Sequence, residues 1–206
     1  MCYAKSTDGG RSWRKSSGEH YQLPITAKTA EYVWRIPQGS ELINQTSMAA
    51  DSSGRAYIAT YWRPQGEAVP QYFVIYHDGE RWRTSQVTRR ATPFSLSGQG
   101  TRRIPISRPQ ILIRSAGNRT EAFVVFRDIE RDDRVSVAIC ADIKSESWSI
   151  KDLTKGSVGM WEPSYDQDLW EKKKEVHLLV EKVGQGEGEG LENISPEMVS
   201  ILEWVP

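Results

Sequence analysis

The sequence predicts an all-β chain assembled from four-stranded antiparallel units. Three observations predict it. Short alternating or wholly apolar runs recur along the chain, each broken by turn residues, while helical periodicity is almost absent. Tryptophans follow turns and open strands at a long, nearly regular spacing. Eight Trp, eight Tyr and four Phe among 206 residues supply the flat side chains that suit a half-buried pleated surface.

Taken in order, the first element is the hairpin around STDGGRSW (6–13). Asp8-Gly9-Gly10 is a strong turn, because glycine takes positive φ without a steric cost and aspartate bonds its own downstream backbone. Tyr3-Ala4 precedes it as a short strand and Trp13 opens the returning one. Further strands are expected in RAYIATYW (55–62), QYFVIYHDGERWRTSQV (71–87), RPQILIRSAGNRTEAFVVFRD (108–128), RVSVAIC (134–140), SWSIKDL (147–153), EVHLLVEKV (175–183) and MVSILEWV (198–205). Trp13, Trp82 and Trp148, in DGGRSW, DGERW and KSESW, stand 69 and 66 residues apart. Between them lies a second kind of hairpin, in DSSGRAYIAT (51–60), SAGNRTEAFVVF (115–126) and YDQDLWEKKKEVHLLV (165–180). Each unit therefore reads as two hairpins, and four antiparallel strands make one blade of a β-propeller.

Residues 1–16 read as the end of one blade, 43–90 and 107–155 as two blades, and 161–206 as an incomplete last blade. That makes about three blades in one partial propeller domain, 1–206, where a closed ring needs about four or more. The expectation is the C-terminal portion of a larger propeller of about seven blades. A stand-alone open sheet is the alternative, and it would expose long strand edges.

Composition narrows the function. Lys and Arg together number 27 and so do Asp and Glu, which gives no global pull toward nucleic acid or membrane. No apolar run reaches the length of a membrane span. The start, MCYAKSTDGG, lacks the apolar core of a signal peptide. The placement of this chain stays open, and a secreted or periplasmic location is expected for the intact protein. Cys2 and Cys140 have no metal spacing, and the latter, inside VSVAIC, is expected to be a buried, inert thiol. The three histidines, His20, His77 and His177, are too scattered for a metal site. The Gly/Glu stretch GQGEGEGLENISPE (184–197) is expected as a solvated loop, because it lacks the spacing of a calcium motif. No metal and no cofactor is called for, and a monomer is expected.

The residues of STDGGRSW resemble the Asp-box, the hairpin signature of BNR-repeat β-propellers, in which the aspartate caps the turn and the tryptophan packs between strands. The box is structural and says nothing of a reaction. A longer set of segments, from LINQ through MAADSSGRAYIATYWRP, VPQYF, FSLSG and PISRPQ to FRDIER, WEPSYDQDLW and LEWVP, is similar to the BNR-repeat family related to ulvan lyases and rhamnoglycan-acting enzymes. The resemblance spans nearly the whole chain. It implies an anionic polysaccharide or oligosaccharide as partner and β-elimination on a uronate as the reaction. In such lyases a tyrosine and a histidine handle protons and an arginine neutralises the carboxylate. Tyr72 matches the tyrosine and Arg89 the neutraliser, while the histidine falls upstream of residue 1. Gln45, Tyr61, Trp62, Arg63, Arg103 and Arg108 are the implied substrate-binding residues.

The chemistry calls for these residue types. Removing the proton beside a charged carboxylate is hard until a bidentate guanidinium spreads that charge. A phenol near its ordinary pKa is a poor base, and neighbouring cations, here Arg63, Arg89, Arg90, Arg103 and Arg108, would depress it. Tyr61 and Trp62 offer flat faces to sugar rings. Glu162 and Asp166, opening the last blade, are candidates for a central pocket. Two alternatives stay open. One is a glycoside hydrolase, rhamnosidase or sialidase-like, since RIP recurs at 35–37 and 103–105; a sialidase would need a tyrosine nucleophile with a glutamate. The other is a glycan-binding propeller without catalysis.

Overall fold

The computed structural model describes residues 1–42, 46–98, 102–186, 188 and 192–206. Among the described residues twelve strands, one short α-helix and two single-turn 3-10 helices follow one another. The first strands, β1 (Cys2–Tyr3) and β2 (Glu31–Tyr32), pair with each other. Next come β3 (Ser47–Ala50), β4 (Ala56–Trp62), β5 (Gln71–His77) and β6 (Trp82–Gln86), a four-stranded antiparallel sheet in chain order. A second such sheet is built from β7 (Gln110–Ala116), β8 (Arg119–Asp128), β9 (Arg134–Cys140) and β10 (Ser149–Asp152). Helix α1 (Gln167–Lys173) precedes β11 (Val176–Val180), which pairs with β12 (Ser200–Trp204). The fold is all-β, and its four-stranded sheets are of the kind that form propeller blades. They lie within 43–90 and 107–155 and do not close into a ring among the described residues.

The sheets stack face to face, which explains the near-continuous apolar runs. Along β4 and β5, Tyr57, Ala59, Tyr61, Tyr72, Val74 and Tyr76 share one face. Ile58, Trp62, Phe73 and Ile75 share the other, against Val33, Met1 and Tyr3. The first face meets Ile111, Ile113, Val124 and Phe126 of the second sheet. The second sheet's far face, with Leu112, Phe123 and Val137, meets Trp161, Trp170 and Leu178. Period-2 alternation thus persists, but both faces are buried, so polar residues are scarce on either.

Aspartate turns define one end of the first sheet. Asp51, between β3 and β4, accepts from the Ser53 and Arg55 amides, the Arg55 guanidinium and the Tyr57 hydroxyl. Asp78, between β5 and β6, accepts from the Glu80 and Arg81 amides. Asp8 accepts from the Arg11 and Ser12 amides and the Ser12 hydroxyl, while Trp13 Nε1 donates to Gly10 O at 3.2 Å. As expected, Asp8 is an exposed turn cap whose carboxylate is consumed locally. His77 is the last residue of β5, paired with Trp82, and its Nδ1 accepts from the Gly79 amide of the turn that follows. Cys140 is buried and Cys2 exposed.

The expected hairpin at 165–180 is corrected. Tyr165 bridges Leu178 and β11 follows, but the intervening turn is helix α1. Asp166 caps it by accepting from the Leu169 amide, Lys174 closes it in the left-handed region, and Trp170 is its buried residue. A capping aspartate before a run of good helix formers outweighs the strand-like flanks. β12 pairs only with β11 among the described residues; Ile201 on it and Met198, Val199 and Val205 flanking it are exposed.

Candidate functional site

The end opposite the aspartate turns gathers the residues marked out by sequence. β4 ends there at Trp62, β5 begins at Gln71, β6 leaves at Gln86, and β3 and β7 start at Ser47 and Gln110. The two sheets are tied at this end by Ser47 Oγ, which donates to Gln110 Oε1 and accepts from the Ile111 amide, both at 3.1 Å. Three layers can be distinguished.

The lowest layer is a buried polar scaffold, and it holds Tyr72. Tyr72 is fully buried, and its hydroxyl donates to Ser107 O at 2.5 Å. Burial, followed by the charge of Asp128, pushes the phenol well above its ordinary range. Arginine neighbours were expected to lower it; they do not prevail, because desolvation penalises phenolate more than they favour it. Gln71 pins the following loop, donating to Arg90 O at 2.9 Å and accepting from the Arg90 amide at 2.7 Å. The buried Arg90 guanidinium pairs with Asp128 at 2.7 Å. Arg127 is fully buried and donates to Trp161 O, Asp133 Oδ1 and Ile104 O at 3.1, 2.9 and 3.1 Å. One guanidinium thereby fastens β8 to the loop before β7 and to the segment opening the third sheet.

Above the scaffold stands a small charged cluster. Arg108 offers its amide to Glu162 Oε2 at 2.8 Å and its guanidinium Nη1 to the same oxygen at 3.9 Å. Burial raises the Glu162 carboxyl, and hydrogen bonding to Arg108 opposes this. Tyr61 is buried with its ring edge-on to Tyr72 and Phe94. Its hydroxyl and Arg108 Nε have no hydrogen-bond partner among the described residues. Burial raises the Tyr61 phenol, Glu162 adds to this, and Arg108 opposes it. Arg103 is exposed, with Nε 3.3 Å from Met160 Sδ.

The outer layer is a groove made of two clefts. The first, of about 470 Å³, is lined by Trp34, Arg35, Trp62, Gln65, Phe73 and Gln86, among others. Trp62 and Phe73 stack with ring centroids 3.8 Å apart, and Trp34 is 37% exposed. Arg35 lies over the Tyr32 ring at 4.2 Å. The second cleft, of about 820 Å³, runs along the outer edge and is lined by Gln86, Arg89, Glu146 and Trp148, among others. Gln86 lines both clefts. Trp148 is fixed by Nε1 donating to Ser85 Oγ at 2.8 Å. Arg89 is exposed and makes no ion pair among the described residues.

The expected residues therefore separate. Tyr72 and Arg89 do not share a cleft: the hydroxyl points into the core between the sheets, while the guanidinium faces the outer groove. Tyr61 and Trp62 are strand neighbours and necessarily face opposite sides of the sheet. Arg63 is a loop tie, donating to Gly39 O at 2.9 Å and Glu67 O at 3.3 Å. Gln45 lies outside the described residues. Trp62 and Arg89 line two different clefts that share Gln86, and Tyr61 and Arg108 are brought to one cluster. Trp34 was missed by sequence reasoning; the likeness of VWRIP (33–37) to YWRP (61–64) was the signal that could have found it. Glu146 and Trp148 were hidden because they belong to the neighbouring sheet. Among the described residues no group of three His, Cys, Asp or Glu side chains is arranged to hold a metal ion, and no helix is long and apolar enough to cross a membrane.

A family model described as a BNR repeat-containing family member matches residues 1–90. The match takes in the Asp8 turn, the first sheet and the groove from Trp34 to Arg89. It supports a BNR-repeat relationship and, with the sheet architecture, a carbohydrate-active or glycan-binding protein of the propeller kind. A search of the curated proteins gives no match to the chain.

Proposed function

We propose that the chain binds a uronate-bearing anionic glycan along the outer groove. The observation that carries this reading is that Gln86 lines both clefts, which sets the exposed Trp34, over the buried Trp62–Phe73 stack, and the exposed Arg89 to either side of one side chain. Aromatic faces take up the apolar faces of sugar rings, and an unpaired guanidinium is the side chain suited to a carboxylate. Gln65, Thr84 and Gln86 supply amide and hydroxyl groups for sugar hydroxyls. Arg89 keeps the carboxylate role implied by its sequence context, as a binding residue.

The test is affinity electrophoresis of the full chain in gels containing a uronate polysaccharide, with a neutral glucan as control. Retardation by the uronate polymer alone, relieved by Arg89→Ala, is the expected result. Equal retardation by both polymers, or none by either, overturns the reading.

β-Elimination on the same class of glycan is the second reading. It is favoured by the partnerless Tyr61 hydroxyl beside the Arg108–Glu162 pair. The tyrosine role passes from Tyr72 to Tyr61. Glu162 would take the proton from the carbon beside the carboxylate, the phenol kept protonated by burial would give its proton to the departing sugar oxygen as that bond breaks, and Arg108 would draw charge from the uronate. Tyr61 is buried beneath Phe94, so this reading also requires that Phe94 give way before substrate reaches the hydroxyl. Ultraviolet absorbance of an unsaturated uronate, lost in Tyr61→Phe and retained in Tyr72→Phe, is the expected signature. Its absence with every uronate polymer tried would leave binding as the function.

A further inference from the structure

The aspartate-turn end of the molecule carries a second cleft, of about 390 Å³, between the first hairpin and the first four-stranded sheet. Its lining includes Lys5, Arg14, Lys15, Arg55 and His77 and no carboxylate. Two of these cations are already paired. Glu19 pairs with Lys15 at 2.9 Å and Asp51 with Arg55 at 2.7 Å. Glu31 does not line the cleft but stands behind its wall, accepting from the Ser16 amide and from Trp82 Nε1 at 2.7 and 3.0 Å. Lys5 and Arg14 make no ion pair among the described residues.

Lys5 and Arg14 also stand directly opposite each other. Their main chains exchange both hydrogen bonds, Lys5 N to Arg14 O at 2.9 Å and Arg14 N to Lys5 O at 2.8 Å. Opposed residues of an antiparallel pair project on the same side, and like charges in that relation repel. An anion between them turns that repulsion into attraction. Lys5 Nζ reaches the neighbouring turn, donating to Gly54 O at 3.5 Å, and only a glycine there, at φ +77°, admits it, since a Cβ would lie 2.8 Å from Nζ. The cleft is larger than a bare oxyanion needs, and Tyr3 and Trp82, with ring centroids 5.1 Å apart, form an aromatic wall.

We infer that this cleft binds a sugar residue bearing an oxyanion, a uronate or a sulfate ester, with the anionic group held between Lys5 and Arg14. The site is separate from the outer groove and does not depend on it. It would engage a charged glycan from the opposite end of the sheet.

The experiment is titration calorimetry of the full chain with glucuronate, glucose 6-sulfate, glucose and inorganic sulfate, repeated on the double variant Lys5→Gln/Arg14→Gln. Binding of one or both charged sugars, weakened at least tenfold in the double variant, is the expected result; which of the two binds identifies the oxyanion. The double variant removes the repulsion, so its melting temperature without ligand should not fall, and this separates a lost site from a lost fold. Glucose binding as well as the charged sugars, or inorganic sulfate binding as well as glucose 6-sulfate, overturns the inference. So does an affinity that survives in the double variant or is abolished only by Arg89→Ala.

Discussion

The phenol of Tyr72 donates to the main-chain carbonyl of Ser107 at 2.5 Å, across the interface between the two four-stranded sheets. A tyrosine in a position suggestive of proton transfer is thus a structural clamp. Its ring packs against Phe126 and Tyr61, and its hydroxyl fixes the segment that leads into β7.

Tyr72→Phe should therefore act on stability and spare ligand binding. Loss of one buried hydrogen bond to a carbonyl costs about 1–2 kcal/mol. Urea denaturation should show a lower midpoint with an unchanged slope, while affinity for a uronate polymer stays at the wild-type value.

Arg127→Met should be more damaging. The guanidinium joins four segments and neutralises Asp133, so its removal strands several buried acceptors. Breaking such a pair from one side costs roughly 3–5 kcal/mol. Denaturation monitored by tryptophan fluorescence should register a large fall in the midpoint, since Trp161 packs beside it.

Asp51 gives stability an acid limb. Burial alone would raise its carboxyl, but hydrogen bonds from Ser53, Arg55 and Tyr57 overcome this and bring it down to about 2, from 3.8. A lowered pKa means that the folded state binds protons less readily than the unfolded one. The contribution is present above about pH 4 and is lost as pH falls toward 2. Asp51→Asn should lower stability at neutral pH and flatten the profile across that window, as measured by thermal melts at stepped pH.

In the groove, Arg89→Ala and Trp34→Ala should each weaken uronate-polymer binding by roughly tenfold, about 1.4 kcal/mol. Salt should distinguish them. The Arg89 contribution is electrostatic at an exposed site and should shrink with ionic strength, whereas that of Trp34 should persist. Both variants should melt with the wild type, because neither side chain is buried in the core.

Much of the fold was legible in the sequence. The strands follow from alternating runs such as AYIATYW and QYFVIYH, and the turns from aspartate before glycine. Helix α1 was hidden because YDQDLWEKKK sits between strand-like flanks, and only its Asp166 cap marked a start. The site was less legible, for a physical reason. Sequence pattern shows that Tyr61, Trp62 and Tyr72 are near a strand end, but not which face each one takes. A one-residue difference sends Tyr61 to the buried interface and Trp62 to the outer cleft. Arg127, in FVVFRD, would ordinarily be taken for a surface residue. Its burial depends on acceptors supplied by Trp161, Asp133 and Ile104, from three other parts of the chain, and no local pattern announces them.

The apolar row at β12 has a consequence for handling the protein. A strand with one partner among the described residues, with Ile201 exposed on it and Val199 and Val205 exposed beside it, offers unpaired main-chain groups beside a greasy surface, which is the arrangement that templates intermolecular cross-β pairing. Colloidal stability at high concentration is therefore set at this strand and not in the well-packed interior. A lysine in place of Ile201 would act as a gatekeeper there, suppressing self-association while leaving the sheets and the three clefts described above as they are.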